Sequence, residues 1–64
     1  MQITMPDRSV RTCPSATTTV EQVLLGLAIN PLDVMVVRGG RLLAETAVLD
    51  DSDEIRIIMV SHGG

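Results

Sequence analysis

The last apolar segment of the chain constrains its fold more than any other feature. Residues 53–60 read Asp-Glu-Ile-Arg-Ile-Ile-Met-Val, so β-branched and apolar side chains dominate. Two alternating sets follow from the period of a strand: Ile55, Ile57 and Met59 on one face, and Arg56, Ile58 and Val60 on the other. This pattern predicts a strand that runs through the middle of a small core. Ser61, His62, Gly63 and Gly64 cannot continue it, and we expect a flexible, exposed tail.

Size and composition exclude several classes of function. A chain of 64 residues forms one domain that buries only roughly 60% of its unfolded surface, which leaves no room for an enclosed active site. With one cysteine, Cys13, and one histidine, His62, we expect no disulfide framework and no metal site. The absence of aromatic residues and the formal charge of −3 argue against direct nucleic-acid binding. No signal peptide or spanning segment is present, so we expect a cytoplasmic protein without a membrane partner.

The first thirteen residues predict a β-hairpin. In residues 1–5, Met1, Ile3 and Met5 alternate with polar residues and should face the core. Pro6-Asp7-Arg8 fits a turn, because proline pre-sets φ and aspartate can accept a hydrogen bond from the backbone that follows. Residues 9–13 should return antiparallel, with Val10 and Thr12 inward and Arg11 outward.

A helix of about two turns is predicted next. Thr19 with Gln22 matches a capping box, and Thr18 with Glu21 fits the same rule, so the start is uncertain by one residue. One apolar stripe follows at helical spacing: Val20, Val23, Leu24 and Leu27. Asn30-Pro31 prevents continuation, because the residue before proline is disfavoured in the helical region.

The second half of the chain predicts three further segments. Residues 34–37 are all apolar, typical of a strand covered on both faces or lying at a sheet centre. Gly39-Gly40 predicts a type I′ turn into a short strand over residues 41–44. Residues 45–52 read as a long loop pinned by Val48 and Leu49. The acidic residues 50–54 lack the glycine of a Ca²⁺ loop, so we interpret them as a solvated loop with local hydrogen bonds.

Together these elements predict an α+β, β-grasp (ubiquitin-like) domain over residues 1–60, followed by the tail at 61–64. One helix should pack across one face of a four- to five-stranded mixed sheet, with the first and last strands adjacent and parallel at its centre. Ile58 and Val60 would then lie on the face away from the helix, beside the start of the tail. Two apolar residues on one exposed strand face suggest a contact patch.

The chain resembles the ThiS/MoaD sulfur carriers, β-grasp proteins related to ubiquitin that include the small archaeal ubiquitin-like modifiers. The resemblance rests on the order of elements, on the Thr19-Val20-Glu21 helix start and on Val-Val-Arg-Gly-Gly-Arg at 36–41. Its most specific part is the approach to the last strand, Leu49 to Ile55, combined with the Gly63-Gly64 ending. It implies that a ubiquitin-activating-like adenylyltransferase binds the domain and uses ATP to adenylate the Gly64 carboxylate. A sulfurtransferase or cysteine desulfurase would then supply sulfur for a thiocarboxylate. The acceptor would be a sulfur-accepting synthase of thiamine or molybdopterin synthesis, a tRNA-thiolating enzyme, or, by isopeptide linkage, target-protein lysines.

The resemblance assigns a role to each candidate residue. Gly63 and Gly64 would enter the partner's active site, where residues with a Cβ cannot follow. Ser61 and His62 would act as a spacer, while Ile58, Val60 and Arg56 would contact the partner. The chain would be a protein-borne substrate and not an enzyme, with no bound cofactor, because ATP is used by the partner. The alternative is a non-covalent β-grasp interaction module with an inert tail, which would need no intact terminal glycine.

Overall fold

Short strands and one α-helix are the regular elements of the fold, and the computed structural model describes residues 1–13 and 17–60. Within those ranges the elements are β1 (Gln2–Thr4), β2 (Val10–Thr12), β3 (Thr18–Thr19), α1 (Val20–Gly26), β4 (Val34–Arg38), β5 (Arg41–Leu43), β6 (Val48–Leu49) and β7 (Glu54–Met59). A short 3₁₀ turn at Pro31–Asp33 leads into β4. The predicted tail, residues 61–64, lies outside the described residues.

Five of the strands form one mixed sheet in the order β2-β1-β7-β4-β5. β1 and β7 are parallel, and the other neighbouring pairs are antiparallel. The first strand and the last strand of the chain are therefore adjacent at the centre of the sheet. The predicted α+β class, the mixed sheet and the single helix are confirmed.

The core lies between one face of this sheet and α1. From the sheet it receives the alternate side chains of the central strands, and from the helix it receives Val20 and Leu24, all of them buried. Val23 and Leu27 are partly buried against the same cluster, so the predicted helical stripe is confirmed. Met1 and Ile3 are buried and Met5 is partly buried, as the alternation in residues 1–5 predicts.

The start of α1 is fixed by Thr19. The backbone N–H of Gln22 donates to Thr19 Oγ1 at 3.3 Å, which identifies Thr19 as the N-cap rather than Thr18. The Gln22 side chain does not return to the Thr19 backbone as in a full capping box. Its Oε1 accepts instead from Thr18 Oγ1 at 2.9 Å.

Strand β2 differs from its prediction. Its register pairs Arg11 with Ile3 and Val10 with Thr4, and directly opposed residues of an antiparallel pair point to the same face. Arg11 therefore lies on the helix side and Val10 on the other side, where Val10 is 59% exposed. The predicted inward positions of Val10 and Thr12 are wrong, because the turn sets the register and β2 is an edge strand that the helix does not cover.

A second, two-stranded sheet was not predicted. β3 and β6 pair antiparallel, with Thr18 opposite Leu49 and Thr19 opposite Val48. Leu49 is fully buried, whereas Val48 is 58% exposed, so the expectation that both residues pin this segment is right only for Leu49. Strands of two residues are too short to show a period in the sequence.

The turn between β4 and β5 requires glycine for backbone reasons. Gly39 and Gly40 have φ of +58° and +79°, which confirms the predicted type I′ turn. A Cβ at either position would meet no atom within 4 Å, and the same is true at Gly26 in α1. All three positions therefore have room for a Cβ atom. The helical glycine differs from the two turn glycines only in its backbone conformation.

This difference predicts opposite effects of the same substitution. Gly26→Ala is expected to stabilise the fold by about 0.5–1 kcal/mol, because glycine loses more backbone entropy than alanine in a helix. Gly40→Ala is expected to destabilise it by about 1–2 kcal/mol, because alanine is strained at positive φ. Urea unfolding followed by circular dichroism measures both changes, and shifts of the same sign would contradict the prediction.

Candidate functional site

The sheet face opposite α1 is not covered by any described element, and we call it the outer face. β4 lies between β7 and β5, so the sheet-centre interpretation of residues 34–37 is right. Coverage on both faces is wrong, because Val34 and Val36 are buried under α1 while Met35 points to the outer face and is 40% exposed.

An apolar patch occupies the middle of the outer face. The strand registers place Met35 beside Ile58, and Val37 beside both Arg56 and Leu42. We define the outer patch as Met35, Val37, Leu42 and Ile58. Leu42 is 65% exposed, and Ile58 and Val37 are half-buried. Larger exposed apolar patches on small domains commonly mark contact surfaces.

The predicted partner-binding residues are only partly brought together. Arg56 and Ile58 lie on the outer face of β7, as expected. Val60 follows the strand, is half-buried, and its backbone N–H donates to the Asp33 carbonyl at 2.9 Å. The chain is therefore held in place up to the residue before the predicted tail. Ser61, His62, Gly63 and Gly64 lie outside the described residues.

Sequence reasoning missed three members of the outer patch: Met35, Val37 and Leu42. The sequence did contain a signal for these three residues. The Gly39-Gly40 turn sets the hairpin register, which pairs Val37 with Leu42 across β4 and β5. Because a helix with one apolar stripe covers only one face of a sheet, the alternate residues of β4 have to face outward.

Arg56 differs in its surroundings from Arg38. Arg38 Nη1 lies 3.2 Å from Asp53 Oδ1 and forms an ion pair. No hydrogen bond or ion pair engages the Arg56 side chain among residues 1–13 and 17–60. Arg56 is exposed next to the outer patch, so its charge is available to another molecule.

Residues 50–53 form the loop that was predicted, whereas Glu54 is the first residue of β7. The Ser52 hydroxyl and backbone N–H donate to Asp50 Oδ1 at 2.7 and 2.9 Å, and the Asp50 N–H donates to Asp53 Oδ2 at 2.7 Å. The Ser52 hydroxyl bond, followed by the backbone bond, holds the pKa of Asp50 below its ordinary value of 3.8. These carboxylates stabilise the connection from β6 to β7. In the part of the chain that the structure describes, no three His, Cys, Asp or Glu side chains lie together as a metal site requires.

The lowered pKa of Asp50 predicts a pH dependence of stability. A carboxyl whose pKa is lower in the folded state contributes stability above its unfolded pKa, and loses that contribution as the pH falls through the folded pKa. The chain is therefore expected to be less stable at about pH 2 than at about pH 6. Asp50→Asn should reduce this pH dependence, because the neutral amide accepts from Ser52 but does not titrate. Thermal unfolding of both proteins across this range measures it, and identical profiles would contradict the assignment.

The described helix α1 is too short, and not apolar enough, to cross a membrane. Cys13 directly follows β2, is partly buried and packs against the core.

Comparison with known proteins supports the fold. No protein-family model matches the chain, and no curated protein matches it. A solved structure does: the NMR solution structure of a computationally designed protein based on the template of human erythrocytic ubiquitin. The two share 20% sequence identity with a TM-score of 0.65, and the alignment covers 100% of this chain and 94% of the designed protein. At this identity the likeness concerns the fold alone, and it agrees with the sheet order and single helix described above. The chain has a ubiquitin-like, β-grasp fold.

Proposed function

We propose that this chain is a sulfur carrier of the ThiS/MoaD kind, or a related ubiquitin-like modifier, that acts in the cytoplasm as a protein-borne substrate. One observation carries the proposal: the central strand of a β-grasp sheet passes beside an apolar outer patch, and Gly63 and Gly64 follow three and four residues after Val60. A partner that binds the outer patch would receive the terminal glycines from a fixed starting point at Val60. Four extended residues span at most about 14 Å, which sets how deep the partner's active site can lie.

The chemistry follows from the reactivity of a carboxylate, which is a poor electrophile because its charge is delocalised. An adenylyltransferase would bind ATP, the Gly64 carboxylate would attack the α-phosphorus, and pyrophosphate would leave. A persulfide on a sulfurtransferase or cysteine desulfurase would then attack the acyl carbon and release AMP. A partner thiol would cleave the resulting acyl disulfide, leaving a thiocarboxylate on Gly64 and a disulfide on the partner.

Several acceptors fit this product. The thiocarboxylate would deliver sulfur to a synthase of thiamine or molybdopterin, or to a tRNA-thiolating enzyme. An amine attacking the adenylate would instead give an isopeptide bond to a target lysine. The glycines suit either route, because a residue without a Cβ can pass through a narrow channel.

Intact mass spectrometry tests the proposal. The chain is incubated with a purified ubiquitin-activating-like adenylyltransferase from the organism that encodes it, with magnesium ATP and sodium sulfide as the sulfur donor. A gain of about 16 Da on Gly64, oxygen replaced by sulfur, is expected only when ATP is present. An unchanged mass, under conditions in which the same enzyme charges another carrier, would favour the alternative of a non-covalent interaction module.

The outer patch predicts a second result in the same assay. Ile58→Glu places a charge in the centre of the patch and is expected to lower kcat/KM for charging by about 100-fold, because a buried unpaired carboxylate costs several kcal/mol at an interface. Leu25→Glu is the matched control: Leu25 is exposed on α1, away from the outer face. Equal activity of the two variants would exclude the outer patch from the contact.

A further inference from the structure

The sheet has a notch beside the second half of β7. β1 pairs with β7 only over Glu54–Arg56, whereas β4 continues to pair with it up to Met59. Ile57–Met59 therefore borders β4 on one side and, among the described residues, no strand on the other. The turn between β1 and β2 lies at this open side. A cavity of about 210 Å³ separates the two, with walls that include Met5, Pro6, Arg8, Arg56, Ile58 and Met59.

Two arginines face this notch, and neither is neutralised there. Arg8 is held by its turn: its backbone N–H donates to the Met5 carbonyl at 2.9 Å, and the Met5 N–H donates to the Ser9 carbonyl at 2.7 Å. Its φ of +73° is strained for a residue with a side chain. No hydrogen bond or ion pair engages the Arg8 or Arg56 side chain within residues 1–13 and 17–60.

The neighbouring carboxylate, Asp7, forms no ion pair with either arginine among the described residues. Asp7 Oδ1 accepts from the Ser9 backbone N–H at 2.9 Å and from the Ser9 hydroxyl at 2.6 Å. None of the described residues that line the notch is acidic. Two guanidinium groups at one cavity repel each other, and an anion placed between them removes that repulsion.

The walls of the notch indicate which anion fits. Guanidinium groups bind carboxylates through two parallel hydrogen bonds. Met5, Met59 and Ile58 provide an apolar rim that a hydrated phosphate would not use but that aliphatic side chains would. The notch also borders Ile58 of the outer patch and the end of β7, close to the point where a partner that handles the tail would make contact.

We propose that the notch between Arg8 and Arg56 binds an acidic side chain, flanked by apolar residues, on the surface of the adenylyltransferase. This inference rests on the proposed function and adds a specific ionic contact to it. Together with the outer patch, the contact would fix the rotation of the domain on the enzyme and so the direction in which the tail leaves. In this arrangement Arg8 is a partner-binding residue. The sequence analysis assigned no function to the turn in which it lies.

The test is the affinity of the purified adenylyltransferase for Arg8→Gln, Arg56→Gln and the double variant, measured by calorimetry and as the KM for the carrier in ATP–pyrophosphate exchange. Each single substitution is expected to weaken binding about tenfold with kcat unchanged, because a charged hydrogen bond is lost while the tail is intact. Arg41→Gln is the control, since Arg41 is the first residue of β5, on the edge of the sheet away from the notch. Glutamine keeps most of the side chain, and unfolding temperatures are compared to confirm that all variants fold.

Each outcome decides a separate point. If the wild-type chain is charged and the notch variants bind as tightly as Arg41→Gln, the notch inference is wrong and the carrier function stands. If the wild-type chain binds but forms no adenylate, the carrier function fails, and the calorimetric effect of the arginines still decides the notch. Absence of any binding overturns both. A ¹⁵N NMR titration without enzyme compares the affinity of the notch for inorganic phosphate with its affinity for acetate. If the signals of Arg8 and Arg56 shift at a lower concentration of phosphate than of acetate, the notch is a phosphate site and the assignment of a carboxylate ligand is wrong.

Discussion

Deletion of Gly64 is expected to abolish charging of the chain by the adenylyltransferase. The shortened tail moves the terminal carboxylate back by one residue, about 3.5 Å when the chain is extended. Attack on phosphorus needs the reacting atoms about 3–3.5 Å apart, and a misplacement of 1 Å already costs about 100-fold in rate. ATP–pyrophosphate exchange should therefore fall by at least about 100-fold, and no thiocarboxylate should appear in the intact mass.

His62→Ala is the matched control, because it changes the tail but keeps its length and both glycines. It should be charged at a rate close to that of the unmodified chain, since a lone histidine has no second residue to orient it for proton transfer. Normal charging of the Gly64 deletion would contradict the proposed mechanism. A large loss in His62→Ala would instead assign the histidine a role that the sequence does not predict.

Replacement of Ile57 by alanine is expected to have the largest effect on stability. Ile57 is 1% exposed and lies on β7, where it pairs with Val36 of β4 and faces α1. Truncation of a buried isoleucine to alanine costs about 2–5 kcal/mol, because it loses transfer free energy and leaves a cavity. A domain of this size has a total stability of only about 3–10 kcal/mol, so this substitution should remove a large part of its free energy of unfolding at 25 °C.

Ile58→Ala provides a control of identical chemistry on the next residue. Ile58 points to the outer face and is half-buried, so its truncation should cost about 1 kcal/mol. Urea titration of both variants, followed by far-ultraviolet circular dichroism, measures the difference. Equal midpoints would show that the two faces of β7 are buried to a similar degree, against the structure.

The parts of the fold that could be predicted are those with a strong local signal. The stripe on α1, the glycine pair before β5 and the alternation in β7 each set a period or a turn that tertiary contacts did not override. The face of β2 could not be read in this way. Its register depends on the turn at Arg8, whose positive φ is unusual for arginine and is not signalled by the residue type.

The candidate site was predictable to a similar extent. Arg56 and Ile58 were assigned correctly to the outer face because strand alternation alone decides it. Arg8 was not found, since it approaches β7 only through the hairpin turn and the early end of β1. Arg8 and Arg56 line the same cavity although they are 48 positions apart, and such a placement leaves no trace in a local sequence pattern.

The position of β7 also determines how the domain responds to mechanical force. The chain leaves the sheet from the C-terminal end of β7, which pairs with β1 on one side and β4 on the other. The hydrogen bonds between strands lie roughly perpendicular to β7, so a pull along the strand from beyond Val60 loads many of them at once in shear. In a strand pulled perpendicular to its length, the hydrogen bonds would instead break one after another, at a lower force. The domain is thus expected to withstand traction on its C-terminal residues without unravelling.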